Sequence, residues 1–461
     1  MNIKIKKGLD LNVLGEAELE FAIVPKIEDY AVQPVDFVGM MPKLLVEEGQ
    51  QVCAGDALFY DKRQPEVLFC TPVDGVVKSV VRGAKRKLLA VVVTANVEQA
   101  PASEGFTAPE KVREFLCQKG MWTALRQRPF GIVANPADSP KAIFITACES
   151  APLSADADFV MAGREEAFAM GLKTLCGLTQ GKVHLCCKPD STCVKPFAES
   201  LQENFSQLEV HTVSGPHPSG NVGTQIAAID PINKGEVIWT IGLQDVANMG
   251  DLMLTGRYAP QKRFALAGPE VRMPRYYEVT AGASLSSILD QQLKHQDHVR
   301  IISGDVFTGT TITKDGFLGA YDTLVTLLPE GDYYDFMGWL LPGLDKTSYS
   351  KTFLSGWLVG SDCKIAKLIS QFFPTKVDTN LHGGVRPFVF SGNFEKVFPF
   401  DIYPLQLIKA AIIGDIELME NLGIYEVEPE DFALCEFIDP SKTEIQSVIR
   451  EALETIRKEA M

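Results

Sequence analysis

No two of the ten cysteines in this 461-residue chain form a Cys-x-x-Cys pair. Iron–sulfur clusters and structural zinc sites need closely spaced thiolates, so neither is expected. Adjacent Cys186 and Cys187 fall on a predicted strand and point to opposite faces. Cys187 and Cys193 are the one near pair. The thiols read as reduced and mostly buried. Long apolar runs are also missing. "KLLAVVVTANV" and "FMGWLLPGL" fall short of the roughly 18 uncharged residues that span a bilayer. The opening MNIKIKKGLDL leads into no apolar stretch of signal-peptide length. A basic excess is absent too. Lys and Arg number 44 against 59 Asp and Glu, for a net charge of −15 and a pI near 5.0. That balance excludes a nucleic-acid partner and electrostatic docking on anionic lipid. A cytoplasmic chain that reaches any membrane through a partner is expected. There is no G-x-S-x-G elbow, H-E-x-x-H or EF-hand loop. The six histidines are scattered in sequence, and His295 and His298 read as an incidental surface pair. Neither a catalytic residue nor a metal ligand is expected.

What is present is globular: 46% hydrophobic and 22% charged residues, in a length that suggests roughly three domains. Residues 1–100 read as a biotinyl/lipoyl-like β-barrel. In 36–93, Gly49, Gly55, Pro72–Gly75 and Gly83 punctuate apolar runs of strand length. Lys62 falls near the hairpin tip where carrier domains present a modified lysine. No Met-Lys-Met triplet surrounds it, and an unmodified structural barrel is preferred. A polar stretch, "NVEQAPASEGFTAPE", separates the barrel from a helix over 109–120. From about 140, strands alternate with helices, so 101–258 reads as a Rossmann-like α/β domain. Residues 259–330 are α+β, and 331–461 form a mixed and helical C-terminal region. Its last helix, from Ser441, carries Ile445, Val448, Ile449, Leu453 and Ile456 on one face. Residues 332–400 are aromatic and rich in Gly and Pro, and read as ordered loops with short strands.

Four constellations carry chemical interest. "SGPHPSGNVGT" follows a predicted strand at the carboxyl edge of the α/β sheet. Its Gly215, Gly220 and Gly223 would let backbone approach a phosphate, and His217 is fixed between two prolines. The spacing is not G-x-G-x-x-G, so a structural crossing loop stands beside the nucleotide cradle as a reading. "GMWTALRQRPF" joins Trp122, Arg126, Arg128 and Phe130. Planar guanidinium groups beside rings suit an anion, a quinone head or a partner, and suit equally an interdomain ion-pair hub. "PVDFVGMMPKL" supplies Phe37, Met40 and Met41, as adaptable apolar surface or as barrel core. "RGAKRK", residues 82–87, reads as a solvated hairpin tip or a face for an acidic partner.

Taken together, the ordered segments "IKIKKGLDL", "FVGMMPKLLVEEGQQV", "DKRQPEVLFCTPVDGVV", "GMWTALRQRPF", "SGPHPSGNVGT", "IWTIGLQDVANMGDLMLTG", "VRIISGDVFTGT" and "GNFEKVFPFDIYPLQLI" resemble one family over essentially the whole chain. It is the A subunit of the bacterial sodium-translocating NADH:quinone oxidoreductase. The resemblance implies a barrel, a Rossmann-like α/β domain, a β-grasp unit of the SLBB type and a C-terminal helical part. It implies a peripheral position on the cytoplasmic face of the inner membrane. Integral subunits would be its partners, quinone the substrate of the complex, and NADH and flavins would sit on other subunits. The C subunit of the Rnf complex shares the domain order but needs clustered cysteines near its C-terminus, a region that here holds only Cys363 and Cys435. The flavin-carrying subunit of complex I needs four clustered cysteines as well. On this resemblance Phe37, Met40, Met41, Trp122, Arg126, Arg128 and Phe130 are quinone-side candidates, and Gly215, His217, Gly220 and Gly223 are ligand-loop candidates. A free-standing nucleotide-binding protein is the alternative.

Overall fold

The computed structural model describes residues 1–96, 111–334, 377–389 and 392–460, with isolated positions between 336 and 353. The expected linker, Cys363 and most of the expected loops of 332–400 lie outside the described residues.

At the centre stand four parallel strands, Ala142–Ala147, Lys182–Cys187, Leu208–Ser214 and Ile238–Gly242. Ala142–Ala147 and Ile238–Gly242 read as near-continuous apolar runs, as strands covered by helices on both faces do. Ile143, Phe144 and Ile145 are fully buried on consecutive positions. The chain steps outward from Ala142–Ala147 to Leu208–Ser214, then returns to place Ile238–Gly242 on the other side of Ala142–Ala147. The strand order thus reverses between those two neighbours. Helices Glu165–Leu178 and Leu243–Thr255 pack on each other through glycine. A Cβ on Gly171 would stand 1.9 Å from the Val246 carbonyl oxygen, and one on Gly250 1.7 Å from that of Ala167. No larger residue lets these backbones meet.

Within residues 1–100 the first two strands join other sheets. Asn2–Lys4 pairs in parallel with Leu208–Ser214 and closes the outer edge of the α/β sheet. Its Ile3 packs with Cys148, Cys186 and Val213. Glu18–Phe21 pairs with Arg275–Thr280 in another sheet. The first residues are therefore edge strands for units that follow much later in sequence. The barrel proper consists of two small sheets, Asp29–Val32, Leu88–Ala95, Gly75–Arg82 and Gln51–Val52, facing Pro42–Leu44, Ala57–Asp61 and Gln64–Cys70. Leu58, Phe59, Val67, Val77 and Val91 fill it. Lys62 is exposed at the tip of the hairpin between Asp61 and Gln64, and residues 82–87 form a second, solvated tip.

The β-grasp unit is a six-stranded sheet, with Gln261–Ala267 between Arg275–Thr280 and Leu324–Pro329, and helix Ser286–Gln292 over one face. At the C-terminus, helices Pro404–Ile413, Ala433–Ile438 and Ile445–Ala460 share one core. The last helix starts four residues later than expected. Asp439 accepts hydrogen bonds from the Ser441 and Thr443 amides at 3.1 and 3.0 Å, and Lys442 takes φ of 59°. That turn holds the chain out of helix until Ile445. Ile445, Ile449, Leu453 and Ile456 are buried, while Val448 sits half-exposed beside them. Leu453→Ala is therefore expected to cost about 2–5 kcal/mol. Val448→Ala should cost less than about 1 kcal/mol. Urea unfolding of the two variants beside the parent checks the contrast.

Candidate functional site

Arg128 is almost fully buried and is surrounded by three carboxylates of the C-terminal unit. Its Nη1 lies 3.3 Å from Asp431 Oδ2 and its Nε 3.6 Å from Glu428 Oε1, while Nη2 donates to Glu430. Glu428 and Asp431 also close a capping box on the turn Pro429–Phe432, with the Glu428 amide donating to Asp431 at 2.9 Å. Arg450 of the last helix joins from the far side: it donates to the Phe130 carbonyl at 2.9 Å and stands 4.0 Å from Glu428. Burial pushes the Asp431 carboxyl up to about 7 against the pull of Arg128. Burial raises Glu428 too. In Glu430 the Arg128 and Arg126 charges overcome burial and lower it. Arg128 thus joins the α/β unit to the C-terminal unit through buried ion pairs.

The other candidates separate into distinct places. Trp122 is core: its Nε1 donates to the Ala134 carbonyl at 2.7 Å, and its ring meets Trp239 edge-on at 5.3 Å. Arg126 lies 4.8 Å over the ring of Tyr321, and Met41 is exposed. Phe37, Met40 and Phe130 do come together. They line one cleft between the barrel, the Arg126–Arg128/Ile132–Val133 hairpin and the last helix. The cleft is walled further by Phe69, Ile132 and Val133, with Arg63, Gln64 and Arg457 among its polar groups beside Asp61, Gln127, Asn135 and Asp138. Asp61 fixes its lip by accepting from the Met41 and Arg63 amides at 3.2 and 3.1 Å, while Arg63 donates to the Gly39 carbonyl at 3.1 Å. Gly39 has φ of 65°, and a Cβ there would strike the Arg457 guanidinium at 2.1 Å. Both the turn and the guanidinium require glycine.

Arg457 carries the main polar feature of this cleft. The residue is 8% exposed, and among the described residues its Nε has no hydrogen-bond partner and no carboxylate lies within ion-pair distance. Burial and the Arg63 charge make its protonated form harder to hold. Sequence reasoning passes over it as part of an amphipathic helix. The available signal is its place four residues after Leu453, on the apolar face. Glu428, Glu430 and Asp431 read in sequence only as turn residues, although E-P-E-D before an apolar run is a helix-start signature.

In the loop after Leu208–Ser214, protein atoms take the space around the glycines. A Cβ on Gly215 would meet the Ile5 carbonyl oxygen at 2.3 Å, on Gly220 that of Cys148 at 2.3 Å, and on Gly223 the Asp431 carboxylate at 2.4 Å. His217 is 2% exposed, stacks on Phe307, and shares a hydrogen bond of 3.1 Å with Ser150 Oγ. The loop crosses from the α/β unit to its neighbours. At the reversal of strand order lies a second cleft with Glu149, Gly242, Asp245, Lys262 and Tyr321. Lys262 is held by Asp245 at 3.0 Å. One expectation is corrected. The histidines scattered in sequence do group in part, because neighbouring strands bring His184 and His211 together with Glu209.

Three comparisons bear on this arrangement. Residues 3–96 match the NqrA N-terminal barrel-sandwich hybrid domain, 107–258 the NqrA second alpha/beta domain, and 264–314 the NQRA C-terminal domain. The A subunit of the Na(+)-translocating NADH-quinone reductase of Rhodopirellula baltica is 38% identical over 99% of this chain and 98% of its own length. That of Yersinia pseudotuberculosis is 37% identical over 99% of this chain and 100% of its own. Among solved structures, an NAD+-reducing [NiFe]-hydrogenase superposes at a TM-score of 0.39 and 14% identity, over 76% of this chain and 65% of its own. A superposition that loose carries no argument.

Two outcomes follow from the buried ions. Arg128→Met leaves the buried Glu428 and Asp431 and the partly buried Glu430 without their cation and should destabilise by about 3–5 kcal/mol, read by denaturant unfolding. Burial also brings Asp36 and Glu149 up to about 7, alongside Asp431. The folded chain then binds protons that the unfolded chain releases, so between about pH 4 and pH 7 these groups make stability fall as pH rises, and the loss levels off above. The melting temperature should be higher at pH 5.5 than at pH 8 by an amount that shrinks in Asp431→Asn. An unchanged slope in that variant would show that Asp431 is not the group titrating.

Proposed function

We infer the function from the family: this chain belongs to the A subunits of the Na(+)-translocating NADH-quinone reductases. As such it works as one component of an NADH:quinone oxidoreductase that exports sodium. No helix of the described residues is long and apolar enough to cross a membrane. We place the chain at the cytoplasmic face, held there by integral subunits, with NADH and flavins carried by other subunits. Its own part is to shape the quinone side of the complex.

The observation that carries this reading is the cleft closed by Arg457. A quinone head is a flat apolar ring with two carbonyl acceptors. A site for it needs aromatic or thioether walls and a few placed donors. Phe37, Phe69, Met40 and Phe130 supply the walls, and Arg457 and Arg63 the donors. The Nε of Arg457, buried without an acceptor, is a donor that a ligand carbonyl would satisfy. Val35, Met41 and Leu45, on the segment that builds the lip, expose 46, 45 and 47% of their surface. Such apolar surface at the mouth fits a partner that brings an isoprenoid tail from the bilayer. Arg126, Arg128 and Trp122 support the site from behind rather than line it.

In the assembled complex, Arg457→Gln should raise the KM for quinone about tenfold, the worth of one hydrogen bond to a charged donor. NADH oxidation by an artificial acceptor should stay at the parent rate. Met40→Ala should act in the same direction more weakly. Quinone turnover at parent KM in both variants would sink the assignment of this cleft.

A further inference from the structure

Strand Lys182–Cys187 lies parallel to Leu208–Ser214, with His184 opposite Glu209 and Cys186 opposite His211. Glu209 and His211 are two residues apart and share a face. His184 stands on the same face of the adjoining strand. Its Nδ1 is 2.9 Å from His211 Nε2, and Glu209 Oε2 stands 3.7 and 3.9 Å from those two nitrogens. Three atoms so spaced lie on a circle of about 2.1 Å radius, which is the distance zinc keeps from imidazole nitrogen and carboxylate oxygen. We propose that His184, Glu209 and His211 form a binding site for a divalent transition-metal ion of the zinc type.

The donors are prepared for an ion. The two imidazoles are 5% and 4% exposed. Without an ion, the short contact between two ring nitrogens has room for one proton. The carboxylate is beyond hydrogen-bond distance of either ring. An ion replaces that proton and satisfies all three groups. Ligation through His211 Nε2 leaves the proton on Nδ1, which has no partner among the described residues. Lys182 holds the other oxygen of Glu209 at 3.1 Å and so orients the carboxylate. Two nitrogen donors favour zinc, nickel or copper over magnesium or calcium. The Glu209 side chain is 41% exposed, so solvent or a further donor can reach the ion from that side. None of the three residues lines the cleft with Arg457. The ion would pin the strand beside the N-terminal edge strand, away from the quinone side.

The full chain, stripped with chelator, is titrated with Zn2+ against a chromophoric competitor. One ion per chain is expected, lost in His184→Asn and His211→Asn and weakened about tenfold or more in Glu209→Gln. Co2+ in place of zinc should give the visible bands of nitrogen and oxygen ligands, without a thiolate charge-transfer band. Circular dichroism tests whether each variant folds; should a histidine variant unfold, the half-exposed Glu209→Gln decides. No stoichiometric zinc, retention of the ion in folded histidine variants, parent affinity in Glu209→Gln, or a thiolate band from cobalt would each overturn the site.

Discussion

The α/β unit and the C-terminal unit meet through one buried guanidinium. Arg128 comes from a short hairpin at the edge of the α/β sheet, and its three carboxylates come from a turn some 300 residues later. Taking such charges out of water costs several kcal/mol per ion, so the arrangement holds only if every partner is in place. That demand fixes more than the hub. Phe130 follows Arg128 by two residues and gives its carbonyl to Arg450. Arg457 lies two turns further along the same helix. The register of the last helix against the hairpin therefore sets how far Arg457 reaches over Gly39, and with it the shape of the cleft.

The same carboxylates explain the glycine-rich loop. In dinucleotide folds, the backbone at a helix start approaches a phosphate. Here the Asp431 carboxylate stands against Gly223 in the first turn of helix Val222–Ile229. The chain supplies its own anion at that point, and glycine is needed for its approach. The doubly wound geometry is used as a joint. The N-terminal segment fits this picture: Leu9 donates to the His217 carbonyl, and Asp10 accepts from the His217 amide, tying the first residues to the same loop.

How much of this is legible in the sequence depends on the range of the interaction. Periodicity identifies the parallel strands, the barrel and the apolar face of the last helix, because each is a local pattern of burial. The ordered segments identify the family. Arg128 can be narrowed to two roles but not to one, since its partners are remote in sequence and carboxylates in a turn look like solvated ones. The early strands fall to the barrel in sequence for a similar reason: Asn2–Lys4 and Glu18–Phe21 carry no local mark of the sheet they join. Phe37, Met40 and Phe130 stand out by composition, and only tertiary packing brings them to one cleft. His184 and His211 become neighbours once the strands take parallel register.

The cleft closed by the last helix has a consequence for how the chain matures. Its walls come from the barrel, the α/β hairpin and the final sixteen-residue helix, so it cannot exist before the C-terminus has docked. Docking itself requires Arg128 and the acidic turn to desolvate together. A partial structure would leave Arg128, Glu428 and Asp431 hydrated and the lip segment free, with Phe37 and Met40 still packed on the barrel. Completion of the fold and completion of the cleft are thereby one event, governed by the same buried charges.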